Sequence, residues 1–178
     1  LTRLDPRLRV LVTTGTVTSA RLMAERLPDR AFHQFAPLDT PAAVRRFLDH
    51  WQPTMALWVE SEIWPNLIEG IGRRRIPAVL VNARMSERSH LRWRRQRRLA
   101  GRLLSRFRAI LPWDAEHGRR FAALGAAAIG PAGNLKFASA PPATDPAALV
   151  ALLGAIEGRP VVLAASTHDG EEAIVAEV

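Results

Sequence analysis

Five short runs of β-branched and aliphatic residues, at 10–14, 31–36, 54–60, 78–83 and 109–113, alternate with five longer stretches whose apolar residues recur at helical spacing. The helical stretches cover 18–27, 41–51, 63–74, 86–106 and 115–124. Strict alternation of this kind is the most constraining feature of the chain, because strands separated by whole helices pair in parallel through right-handed crossovers. It predicts an α/β fold, a doubly wound parallel sheet covered by helices. Three helix starts carry their own signals: Thr40 before Pro41, Ser86, and Asp114 as an N-cap. In such a sheet ligands gather where strands end. The stretches to inspect are therefore 13–19, 60–66, 82–86 and 112–114.

Residues 139–146, Ser-Ala-Pro-Pro-Ala-Thr-Asp-Pro, fit neither period and read as a linker between a domain at 1–138 and the start of a second at 147–178. The second part offers a helix near 146–157, a strand at 160–165, a turn at 166–170 and a new helix. One βα unit cannot cover its own sheet, so the chain is expected to stop inside this domain. The first residue is Leu rather than Met and no charged-then-apolar leader follows, so any targeting element is expected upstream or not at all. The longest apolar stretch, 147–156, is about half of the roughly 20 residues that cross a bilayer. With no Cys, disulfides and thiolate metal sites are excluded.

The net charge of +8 is localised. Between Arg84 and Arg108 there are ten Arg and one Glu, while the remainder, with 15 basic and 16 acidic residues, is nearly neutral. A block of this kind calls for an anionic partner, either phosphates or a membrane surface. Arg92, Arg94, Arg95, Arg97 and Arg98 crowd one half of the helix, and Trp93 among them is suited to a headgroup boundary. The same arginines also fit a nucleic-acid-binding module, although no reader motif accompanies them.

Glu60 and Glu62 stand at i and i+2 before Pro65 and Asn66, where they can orient hydroxyls, act as a base, or cap the next helix. Asn82, Arg84, Ser86 and Arg88 follow the next strand and offer donors to a phosphate or carboxylate. Thr14, Gly15, Thr16 and Ser19 give a hydroxyl-bearing turn that also reads as a plain N-cap. Lys136, the only lysine, precedes the linker and is suited to an anion at a cleft. Ser166, Thr167, His168 and Glu171 again lie between a strand and a helix, as an anion cradle or a capping box. No histidine has the spacing with carboxylates of a metal site.

In order and spacing, Thr-Thr-Gly15-Thr-Val-Thr-Ser19, Glu60-Ser-Glu62-Ile-Trp-Pro-Asn66, Asn82-Ala-Arg84-Met-Ser86, Gly133-Asn-Leu-Lys136-Phe137 and Ala165-Ser-Thr-His168-Asp-Gly-Glu171-Glu172 resemble the Kdo transferase family. The resemblance extends over nearly the whole chain. It implies the N-terminal half of a GT-B glycosyltransferase with a Rossmann-like sheet, inverting and independent of metal or cofactor. It also implies CMP-Kdo as donor, a phosphorylated lipid A precursor as acceptor, and a peripheral or anchored position at the cytoplasmic face of the bacterial inner membrane, with no nucleic acid bound. Residues 1–138 would recognise the acceptor and 147–178 begin the donor domain. Glu60 and Glu62 would support catalysis, while the general base is expected in a Ser-Val-Gly-Glu motif upstream. Asn82, Arg84 and Ser86 would line a neighbouring wall. Many relatives have Asp after Lys-Phe where Ala138 stands here, which weakens any role for that turn.

Overall fold

The structure is a computed structural model that describes residues 5, 7–60, 63–138 and 143–177, so Glu62 lies outside the described residues. The chain divides into two compact units, residues 1–138 and 139–178.

The first unit runs β1 (Val10–Thr14), α1 (Val17–Arg26), β2 (Ala31–Phe35), α2 (Pro41–Trp51), β3 (Ala56–Val59), α3 (Pro65–Arg73), β4 (Ala78–Ala83), α4 (Glu87–Arg94), α5 (Arg97–Leu104), β5 (Ala109–Pro112) and α6 (Ala115–Ala123), then a 3₁₀ turn at Leu135–Ala138. The helix starts follow local chemistry. Thr16, Thr40, Ser86 and Asp114 each accept a hydrogen bond from the backbone N–H three residues on, satisfying a donor that the first turn leaves orphaned. Helix α3 differs, because its N-cap Trp64 makes no side-chain cap bond. Asp39, from the turn before α2, supplies the cap instead. Its carboxylate accepts from Asn66 N at 3.1 Å and Leu67 N at 2.8 Å.

All strand pairs are parallel. The single sheet expected from the alternation is, however, two sheets, β1-β2 and β3-β4-β5. Among the described residues no strand pairs with both sheets. The core follows this split. Trp58, Leu80, Ala83 and Ile110 from the three-stranded sheet, Val44 and Leu48 from α2, Ile68 and Ile71 from α3, Leu103 and Leu104 from α5, and Phe121 from α6 are all buried. Strands β1 and β2 contribute no fully buried residue. Phe32 of β2 meets Trp51 of α2 with ring centroids 5.3 Å apart.

The helix expected over 86–106 is broken. Gln96, at φ −122° and ψ 39°, leaves the helical region between α4 and α5, where four arginines flank a single residue and like charges three and four apart repel. The second unit contains α7 (Pro146–Ile156), capped by Asp145, and α8 (Glu171–Ala176). The expected strand at 160–165 does not form. Its N–H and C=O groups have no neighbouring strand in that unit to pair with. Among the described residues no helix is long and apolar enough to cross a membrane.

Candidate functional site at the strand tips

Four segments are tied together at the C-terminal ends of β3, β4 and β5 by single hydrogen bonds. Glu60 N donates to Val81 O at 3.0 Å, Trp113 N to Ala83 O at 3.0 Å, and Gly133 N to Pro112 O at 2.9 Å. The fourth bond uses a side chain: Leu135 N donates to Asn82 Oδ1 at 3.1 Å. Asn82 is 4% exposed, and so is the one buried polar residue among those described. It sits at φ 52° in the left-handed region, which Asn tolerates better than most residues. Glu60 is held there too, at φ 65°. Two non-glycine residues in this region on adjacent strand ends store backbone strain, which clusters where a site over-determines the chain.

The hydrogen bond to Asn82 docks the 133–136 segment so that Lys136 reaches the ring of Trp113, its Nζ 5.4 Å from the centroid. Arg84, two residues after Asn82, puts its guanidinium 4.2 Å from the same centroid. Each cation is attracted to the indole face, but neither is ion-paired with a carboxylate among the described residues. Two positive charges are thus gathered at one ring, beside the strand end that bears Glu60. Cations of this kind are the usual partners of a phosphate or a sugar carboxylate. The sequence separated Lys136 from Arg84; the fold joins them. Trp113 was missed as a site residue, and its only signal was that it ends a predicted strand.

Glu60 does not act as the cap of α3, because Asp39 holds that place, and its carboxylate has no hydrogen-bond partner among the described residues. Other candidates are absorbed into the scaffold. Thr14 Oγ1 pairs with His33 Nε2 at 2.8 Å across β1 and β2. Thr16 caps α1 and donates to Ser19 Oγ at 2.8 Å, and Ser86 caps α4. Gly15 is open, with nothing within 4 Å of the Cβ position.

In the second unit, Thr167 donates to Glu172 rather than pairing with Glu171, and Glu171 accepts from His168 N at 2.9 Å. The Thr167 hydroxyl, followed by a backbone N–H, holds the Glu172 carboxyl below its ordinary value. Ser166 is in the left-handed region at φ 59°.

Within the basic segment, Glu69 pairs with Arg102 at 2.9 Å and Arg106 at 3.1 Å, clamping α3 to α5. That leaves Arg88, Arg92, Arg94, Arg95, Arg97, Arg98 and Arg108, like Arg84, without a carboxylate among the described residues. Trp93 is partly buried. It packs against the core and, with Ile63, Ile68, Leu103 and Leu124, lines a small hollow. The apolar residue exposed among the arginines is Leu91, at 51%. No group of three or more metal-ligating side chains occurs among the described residues.

The sequence profile of 3-deoxy-D-manno-octulosonic-acid transferase (Kdo transferase) matches residues 1–139. The chain is 33% identical over 175 residues to the 3-deoxy-D-manno-octulosonic acid transferase of Rickettsia prowazekii (strain Madrid E), covering 98% of this chain and 38% of that protein. It is 33% identical over 180 residues to the Haemophilus influenzae protein of the same name, covering 96% and 40%. To the probable mitochondrial 3-deoxy-D-manno-octulosonic acid transferase of Arabidopsis thaliana it is 43% identical over 134 residues, covering 73% and 30%. The chain thus spans less than half the length of these relatives. With the profile matched across the entire first unit and the motif-bearing turns gathered at its strand tips, the chain belongs to the Kdo transferase family.

Proposed function

We propose that this chain is the acceptor-recognising half of an enzyme that transfers Kdo from CMP-Kdo to a phosphorylated lipid A precursor, inverting configuration without a bound metal or cofactor. The observation that carries the reading is the pair of cations at Trp113, paired with no carboxylate among the described residues, beside Glu60 in the left-handed region. An acceptor hydroxyl attacks the anomeric carbon of CMP-Kdo, CMP leaves, and a carboxylate takes the hydroxyl proton. Arg84 and Lys136 hold an acceptor phosphate or the sugar carboxylate, and Glu60 orients the attacking hydroxyl. The principal base belongs to a Ser-Val-Gly-Glu turn on a strand outside this chain. Ser166, Thr167, His168 and Glu171 serve the donor side.

The enzyme works at the cytoplasmic face of the inner membrane, where the arginines of α4 and α5 that no described carboxylate pairs, together with exposed Leu91, meet anionic lipid. In a whole enzyme containing this chain, radiolabel moves from CMP-Kdo and not from nucleotide-diphosphate sugars; the reverse preference removes the reading. Glu60→Gln lowers kcat by about a hundredfold or more, whereas the chain alone gives no turnover. Replacing Arg94, Arg95, Arg97 and Arg98 by Ser lowers binding to anionic vesicles at low salt, and unchanged binding rejects the membrane role.

A further inference from the structure

Arg84 is exposed, yet the residues on either side of it are among the most enclosed in the chain, Ala83 at 0% and Met85 at 2%. Both neighbours are held by the same stretch, 113–120. Ala83 O accepts from Trp113 N at 3.0 Å, and Met85 O accepts from Nη1 of Arg120 at 2.6 Å. The second bond answers a local deficit. Met85 lies between the ladder of β4, which ends at Ala83, and helix α4, which opens after its cap at Ser86. A carbonyl so placed on a buried residue has neither a strand nor a helix partner, and a guanidinium supplies a bond of the stronger, charge-assisted kind. Arg120 is firmly mounted for this. It stands on α6 beside wholly buried Phe121, and its Nη2 donates to Glu116 one turn earlier. The helix also sits close on the end of β5, since a Cβ at Gly118 would come 3.3 Å from Pro112 Cγ. The charge of Arg120 is thus taken up by a carboxylate and a carbonyl. Arg84 instead presents its guanidinium to the indole of Trp113, 4.2 Å from the centroid, and pairs with no carboxylate among the described residues.

We propose that Arg120 is a positioning residue for Arg84: by fixing the Met85 carbonyl it holds the turn that keeps the Arg84 guanidinium against Trp113, beside Lys136. The proposal rests on the reading of Arg84 as a holder of an acceptor phosphate or the sugar carboxylate, and it names what sets the place of that cation. Without the bond, the backbone at 84 and 85 regains freedom, and a side chain with many rotamers leaves the ring.

In the chain, the Nε–H resonance of Arg84, assigned by its loss in Arg84→Lys, is displaced by the ring current of Trp113. Arg120→Met moves it toward the position of a free arginine. Arg119→Met, which removes the neighbouring charge of α6 but no described bond to the turn, leaves it in place. Circular dichroism establishes that each variant is folded; if Arg120→Met is not, Arg120→Gln, which keeps an N–H donor, shifts the resonance part of the way. In a whole enzyme containing this chain, Arg120→Met raises the KM of the substrate whose anion Arg84 holds by about tenfold, the loss of one charge-assisted contact, while kcat falls much less. The Arg84→Ala/Arg120→Met variant is no worse than Arg84→Ala alone, as for two residues that act through a single contact. Full additivity in that cycle, or an Arg84 resonance that Arg120→Met leaves unmoved, overturns the proposal. If the enzyme transfers nothing from CMP-Kdo, the transferase reading fails, while the resonance still decides the role of Arg120.

Discussion

Asn82 does two jobs that a single substitution can separate. Its backbone holds the left-handed turn at the end of β4, and its Oδ1 anchors Leu135 and thereby Lys136. Asn82→Ala removes the anchor and adds backbone strain, and is expected to lower stability by about 1–3 kcal/mol in urea denaturation. Asn82→Gly relieves the strain, so its smaller loss reports the anchor. As the only lysine, Lys136 then reacts faster with an acylating reagent at peptide resolution; an unchanged rate shows that Asn82 does not position it. Asp39 tests a different link. Asp39→Ala uncaps α3 and should cost about 1 kcal/mol, up to about 2, in the same assay. The caps at Thr40, Ser86 and Asp114 were legible because their partners lie three residues away. Asp39 was not, because its partners lie 27 and 28 residues on. The meeting of Arg84 and Lys136 over Trp113 was hidden for the same reason: pattern along a chain says which residues end strands, not which rings their neighbours reach.

At the scale of elements, helix α6 carries a pH dependence. Asp114, its N-cap, accepts first from His117 N and then from the His117 ring, and these bonds hold its carboxyl below the ordinary value of 3.8. A depressed folded-state value means that this contribution is complete above the unfolded value and is lost as the pH falls through the folded one. Asp114→Asn retains a capping oxygen but no charge. It should therefore flatten the fall in urea midpoint below about pH 4, and an acid limb as steep as that of the parent would exclude Asp114 as a source. The strands from β1 to β5 were legible as elements because their runs are bounded by turns and caps. The split of the long helix at Gln96 was not, since periodicity continues across it and only the local charge density marks the break. The strand expected at 160–165 fails on the other side of the same rule. Its residues suit a sheet, but in that unit no sheet exists for them to join.

For the molecule as a whole, burial is uneven. Residues 143–177 include no fully buried side chain, and α7 leaves Leu149, Val150, Leu152 and Leu153 exposed, whereas Leu80 and Phe121 of the first unit are almost wholly enclosed. Local opening follows buried apolar contact. Amides of α7 should thus exchange with deuterium at near-unprotected rates, while those of β4 exchange only through global unfolding; matched protection in the two would contradict this picture. The split sheet has a consequence of its own. Among the described residues β1 and β3 each pair along one edge only, and β3 carries exposed Leu57 and Val59. Such rims act as templates for any extended segment that diffuses past. At high concentration the chain should therefore recruit copies of itself through these rims, and a soluble peptide of alternating apolar residues should compete with that clustering by pairing with them first.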